Sequence, residues 1–216
     1  MKPAPITLPP IVVETARAVH AAMERRIGPM PKACHAGCSA CCHQIVDVLN
    51  WEASLVTDFI AQEMPTARRD RAREQAEAWL RTFNAITRAA TPAAPLRPEE
   101  VNAARVEFRR LRVACPFLIE GQCTIYPVRP VVCRSHIVET DPEACARDIG
   151  RVGTEAARQV AREEVRAFDP AIHPLSGMPL VLQVAGALGV RQAVKPLLVP
   201  VRRATPAAPA APHSPT

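Results

Sequence analysis

The chain has 216 residues, 48% of them hydrophobic but only 4% aromatic, with 27 basic and 21 acidic side chains and a net charge of +6. That is enough for one domain with an aliphatic core, or two small ones, and it excludes a chain that needs metal merely to acquire a core. The positive balance permits contact with nucleic acid or an anionic surface without arguing for either.

The N-terminal stretch MKPAPITLPPIVVETARAV has four early prolines and no unbroken apolar run, so no secretory leader is expected. Residues 1–10 read as an extended, Pro-rich segment. From Ile11 to Ile27, apolar residues at Val12, Ala16, Val19, Met23 and Ile27 predict a helix, which Gly28, Pro29 and Pro31 end. A first cysteine cluster follows. Trp51, Leu55, Val56, Phe59 and Ile60 then mark a second helix. Beyond Pro65, the stripe Ala72, Ala76, Trp79, Leu80, Phe83 and Ile86 marks a longer one. TPAAPLRP (91–98) is a break. Pro98 suits the first turn of a helix carrying Val101, Ala104, Phe108 and Leu111, with Glu99 and Glu100 near its positive end. A second cluster contains Pro116, Gly121, Pro127 and Pro130 and cannot be a long helix. Thr154–Phe168 and Pro179–Val194 read as two more helices, and the Pro- and Ala-rich residues 200–216 as a disordered tail. The longest apolar run, Pro179–Val190, is too short to span a bilayer, so no membrane association and a cytoplasmic location are expected.

The predicted fold is mainly α: one helical domain over residues 11–199 with two irregular cysteine-rich loops. Cys34, Cys38, Cys41 and Cys42 lie in CHAGCSACC. Cys115, Cys123 and Cys133 lie in CPFLIEGQCTIYPVRPVVC, and Cys145 follows. In a reducing compartment these read as metal ligands or redox groups rather than structural disulfides; a secreted disulfide scaffold is the competing reading, and such scaffolds are usually smaller. Thiolates are soft ligands suited to zinc, iron–sulfur clusters and copper(I). Cys38 and Cys41, spaced C-x2-C, can close around one ion with Gly37 turning the chain. Cys41 and Cys42 are adjacent, and neighbouring side chains usually diverge. They would then serve different metals, or one would have another role. Eight thiols fill two four-cysteine sites, or one cluster plus one zinc, or one site plus spare redox cysteines, with Cys145 the candidate for an inert thiol. Residues 43–114 separate the clusters, and their helices are expected to bring the two loops together.

CHAGCSACC followed by CPFL-x3-G-x-C-x-IY-x2-RP-x2-CR resembles the YkgJ-type cysteine-cluster proteins, the zinc- or iron-chelating domain family named for its CxxCxxCC motif. The residues in register are CPFL at 115–118, Gly121, Cys123, Ile125, Tyr126, Arg129, Pro130, Cys133 and Arg134. The resemblance covers roughly 34–42 and 115–145. It departs in the first spacing, C-x3-C rather than C-x2-C, an extra residue that a turn at Gly37 can absorb. It implies binding of zinc or of iron, as an iron–sulfur cluster, with all eight cysteines as ligand candidates. Some members are described as iron–sulfur oxidoreductase-like, and flagellin lysine N-methylases carry a similar cluster in a longer chain.

Around the thiols, Arg134 is placed either against thiolate charge or in a surface ion pair, Arg129 either toward the site or as a brace, and Tyr126 in a buried packing role. His35, His43 and His136 are spare candidates for a zinc ligand. Arg68, Arg69, Arg71 and Arg73 alternate with Asp70, Glu74 and Glu77, which reads as a solvated face rather than a nucleic-acid surface. No GxGxxG or P-loop is present, and no catalytic residues can be assigned. Three functions compete: a metal protein for electron transfer or redox sensing, a metal-dependent enzyme modifying protein side chains, and a zinc-stabilised module that binds a protein partner.

Overall fold

Pro10 starts the first helix because its missing N–H costs nothing at a position with no intrahelical acceptor. In a computed structural model, residues 9–35, 37–90, 97–141, 144–147, 153–166 and 178–190 are described. They are mainly helical, as expected. Helix α1 (Pro10–Ile27) buries Val12, Ala16, Val19, Met23 and Ile27, the predicted stripe. After the strand β1 (Asp47–Val48) comes α2 (Asn50–Gln62), then α3 (Thr66–Ala90) and α4 (Pro98–Arg110). Pro98 stands in the first turn of α4, and the buried Glu100 carboxylate accepts the Arg97 N–H at 2.8 Å. The predicted stripe of α3 faces α4: Trp79 stacks on Phe83 at 5.1 Å between centroids and meets Phe108 at 4.8 Å. At the exposed surface of α3, Arg71 pairs with Glu74 and Arg73 with Asp70, the solvated face anticipated for this basic stretch.

The second cysteine region is more structured than its prolines suggest. Strands β2 (Leu118–Ile119) and β3 (Gln122–Cys123) pair antiparallel around Glu120 and Gly121, both at positive φ, 51° and 74°. Two consecutive left-handed residues make the tight turn whose twist suits a hairpin. A 3-10 turn (Tyr126–Val128) and two short helices, α5 (Val131–Ser135) and α6 (Ala144–Arg147), follow, then α7 (Glu155–Val165). Helix α7 covers the described part of the helix predicted from Thr154; residues 167–168 lie outside the described residues. Strand β4 (Met178–Pro179) pairs antiparallel with β1 and leads into α8 (Leu180–Val184).

Helix α8 corrects the expectation of a helix from Pro179 to Val194. It spans only Leu180–Val184, and the chain then turns through Gly186 and Gly189, the latter at φ 80°. Glycine in that left-handed conformation stops a helix at little steric cost. Residues 191–194, residues 1–8 of the segment 1–10 expected to be extended, and the tail expected over 200–216 lie outside the described residues; Pro10, at the end of that segment, is helical instead and starts α1.

Helix α2 is apolar on two sides, and the core is divided by it. Ala53, Val56 and Ile60 join a cluster with α3, α4 and α8, where Phe83, Phe108, Leu80 and Val184 are fully buried. Trp51 and Leu55 join a second cluster with α1, α5 and α7. The second cysteine loop runs from one core to the other: Phe117 and Ile125 sit in the first, Val131 and Ile137 in the second. Among the described residues, no helix is long and apolar enough to cross a membrane.

The end of that loop is pinned by close backbone approach. Thr154 N–H donates to the Ile137 carbonyl at 2.9 Å, and a Cβ added to Gly153 would lie 2.7 Å from the Ser135 carbonyl oxygen and 2.9 Å from the His136 Cα. Both obstacles are backbone, so neither can swing aside. Gly153→Ala is expected to cost about 1–3 kcal/mol. Urea unfolding would read this as a lower midpoint with an unchanged slope; an unchanged midpoint would show that the segment can shift freely.

Candidate metal centre

The two cysteine loops meet directly. Cys115 N–H donates to the Cys42 carbonyl at 2.7 Å, across the 72 residues (43–114) that separate the clusters. On the first loop, Cys38 N–H bonds the His35 carbonyl at 3.0 Å and Cys42 N–H bonds the Ser39 carbonyl at 2.9 Å, winding Ala40–Cys42 into a 3-10 turn. On the second, Leu118 N–H returns to the Cys115 carbonyl at 2.9 Å and the Thr124 N–H to the Phe117 carbonyl at 2.8 Å. The hairpin thereby sets Cys115 and Cys123 near one another, and α5 adds Cys133.

All eight cysteines are half-buried thiols. Cys41, Cys42, Cys115, Cys123 and Cys133 feel one another electrostatically and form one nest. The adjacent Cys41 and Cys42 do not diverge: the Cys42 S–H donates to the Cys41 sulfur. This donation, more than any other influence, brings the Cys41 thiol down to about 7. Cys42 is pushed up, because it gives that hydrogen bond and because it is buried. Burial pushes Cys115 up to about 12, and raises Cys123 and, further, Cys133, with neighbouring thiols adding repulsion.

The other three cysteines are placed by their own backbone surroundings. Cys34 packs against the second core, and its sulfur accepts the Val138 N–H at 3.4 Å, while Ala33 N–H donates to the Val138 carbonyl at 2.8 Å. Helix α6, which carries Cys145, lies against the 3-10 turn of Cys41 and Cys42. Cys38 is placed by its turn alone.

Arg134 takes neither of its two predicted roles alone. Buried to 8% exposure, it donates from Nε to the Arg129 carbonyl at 2.9 Å and from Nη2 to the Pro127 carbonyl at 2.7 Å, and it pairs with Glu24 at 3.4 Å. It is a staple that holds the turn before α5. Arg129 lies 4.2 Å over the Tyr126 ring, and its charge adds a little to the lowering of the Cys41 thiol and opposes the rise that burial causes at Cys123. Tyr126 itself overturns the expectation of a buried ring: it is 56% exposed, serving as a platform for that guanidinium. Of the candidate histidines, His35 is exposed, with Nδ1 3.3 Å from the Ala33 carbonyl. His43 is half-buried and its pKa is lowered, by burial first and Arg112 second. His136 is half-buried beside α5.

One residue of the site was absent from the sequence reading. Glu52, 3% exposed, accepts the Leu49 N–H at 2.8 Å with one carboxyl oxygen and the Val131 N–H at 2.6 Å with the other. It caps α2 and α5 together, and so fixes the helix that carries Cys133 to the wall between the cores. A Glu three residues into a helix is a legible capping signal; its second partner, 79 positions away, is not.

The donor set fits a soft metal. The nest contains sulfur without carboxylate or imidazole, which disfavours hard ions. Among the described residues, no group of three or more Cys, His, Asp or Glu side chains is arranged so that it could hold a metal ion as it stands. Protonated thiols have no electrostatic reason to converge on a point, whereas thiolates around a cation do. Burial that keeps Cys115 and Cys133 protonated is the penalty a bound cation would relieve.

The family model for CxxCxxCC, described as a zinc- or iron-chelating domain, matches residues 33–148. This stretch runs from the residue before Cys34 to just past Cys145. No curated protein and no solved structure matches the chain.

Proposed function

The chain belongs to the CxxCxxCC family of zinc- or iron-chelating domains, and from that premise we propose that it holds iron as an iron–sulfur cluster through thiolates of the two loops and exchanges electrons or senses redox state there. The nest of Cys41, Cys42, Cys115, Cys123 and Cys133 would supply the ligands, with Cys34, Cys38 and Cys145 as the adjoining candidates. The observation that carries this reading is the backbone contact from the Cys115 N–H to the Cys42 carbonyl, around which five thiols are linked through one another's electrostatic influence. A structural zinc needs four ligands, and this nest already exceeds that number. The thiols are half-buried, which suits electron exchange with a partner at the surface. When bound, the cluster would supply a one-electron couple. The residues of the chain would tune it: Arg129 and Arg134 by their positive charge, the hairpin by its backbone N–H groups.

Purification without oxygen, followed by assay of iron, zinc and acid-labile sulfide and a visible spectrum, tests this. Brown protein with sulfide matching iron is expected. Colourless protein with stoichiometric zinc would instead make the site a structural one that stabilises the loops on folding.

A further inference from the structure

Beside the Pro127–Arg134 turn, α1 and α2 frame a cavity of about 360 Å³. Its walls include Leu55 and Val128, and its polar lining comes from Arg17, His20, Glu24 and Asp58. The arrangement of charge is unusual. Arg17, which is exposed, and Asp58, which is half-buried, line the same cavity from different helices, and neither has a hydrogen-bond or ion-pair partner among the described residues. His20 is only 8% exposed, and its Nε2 is buried with no hydrogen-bond partner. Buried polar atoms are satisfied in the great majority of cases, so one that lines a cavity marks a place where something else can supply the bond. Glu24 differs: it is engaged by Arg134 and Arg129. Burial raises the Asp58 carboxyl.

We propose that this cavity binds a small zwitterion of the amino-acid class with an aliphatic side chain. Its carboxylate would lie toward Arg17, its ammonium toward Asp58 and its side chain toward Leu55 and Val128. A single anion would leave Asp58 without a partner and set like charges together; a single cation would do the same with Arg17. A molecule carrying both charges a few ångströms apart answers both, and a short apolar stem matches the remaining walls. Arg134 lines the cavity and is the residue after Cys133, so an occupant would sit beside the metal-bearing turn.

The test uses the full chain with its metal as purified. Calorimetric titration with L-leucine and L-valine should show saturable binding, at least tenfold tighter than that of isopentylamine or isovalerate, which carry one charge each. Arg17 and Asp58 have no partner among the described residues, so Arg17→Gln and Asp58→Asn should leave the fold and the metal content unchanged while weakening leucine binding about tenfold or more each. Binding of the amine or the carboxylate as tight as that of leucine would overturn the proposal, as would variants that bind like the parent. So would the absence of leucine and valine binding up to 10 mM. Metal content is read separately, so failure here is distinct from failure of the iron–sulfur reading.

Discussion

Cys133→Ser is expected to release the metal under a chelator challenge that the parent withstands, and to cost the metal-loaded protein about a quarter of its metal-derived stability. Cys133 is carried on α5, whose start is tied to α2 through Glu52 and whose turn is stapled by Arg134, so its position is held from two directions. Its thiol is pushed well above the usual range, by burial first and then by Cys115, Cys41 and Cys123. Serine in its place offers a hard oxygen that does not ionise near neutral pH. Structural zinc contributes on the order of 10–16 kcal/mol in small metal-folded domains, so losing one ligand of four removes roughly 3 kcal/mol and weakens affinity by 100-fold or more. Metal per chain after dialysis against chelator checks the first expectation, and thermal unfolding with and without chelator checks the second. In chelator, parent and variant should unfold within a few degrees of each other. A C133S protein that retains its metal would remove this cysteine from the ligand set.

The second large effect is an opposition between two buried groups. Burial pushes Glu52 up to about 7 from an ordinary 4.5, against the pull of two backbone N–H groups and Arg134. The unfolded chain releases this proton at about 4.5 while the folded chain keeps it until about 7. The stability Glu52 allows at low pH is therefore lost as pH rises across that window. His20 is held down to about 4 from 6.5, by burial first and then by Arg134 and Arg129. Here the unfolded chain takes up the proton below 6.5 and the folded chain does not. Its contribution is complete above 6.5 and is lost as pH falls toward 4. Each difference corresponds to about 3 kcal/mol, with opposite slopes that largely cancel between pH 4.5 and 6.5. Single variants uncover them. The stability of the parent minus that of His20→Gln should grow by about 3 kcal/mol from pH 4 to 6.5. The parent minus Glu52→Gln should shrink by a similar amount from 4.5 to 7. Urea midpoints at matched metal loading give both differences, and two flat lines would show that neither group titrates as its burial requires.

Much of the scaffold was legible in advance because it rests on local rules. The stripes of α1 and α3 follow the helical period, and Pro98 and Glu100 mark the start of α4. What escaped depends on contacts remote in sequence or on a local competition. Helix α8 has an apolar run long enough for several turns, but two glycines outweigh it. Tyr126 read as a core residue because aromatic rings usually bury; the nearby guanidinium offers a partner in the open instead. The meeting of the two cysteine loops was anticipated from chemistry. The contact that makes it, and the turning of Cys41 and Cys42 toward one another, required the fold. Glu52 was invisible in its main role because nothing in its own neighbourhood mentions Val131.

The contact between Cys115 and Cys42 also sets an order of events during synthesis. Closing 72 residues (43–114) costs an unfolded chain about 4 kcal/mol of entropy, so the first loop cannot hold the second before α2, α3 and α4 have packed. At roughly 5–20 residues per second, the thiols of Cys34, Cys38, Cys41 and Cys42 wait roughly 4–14 s for their counterparts to be made. For that interval four closely spaced thiols are exposed to oxidant and to any passing metal, on a chain that has no way yet to bury them. Maturation of this protein therefore depends as much on what surrounds the growing chain as on the finished site: a reducing milieu, and metal delivered after the second loop has emerged rather than before.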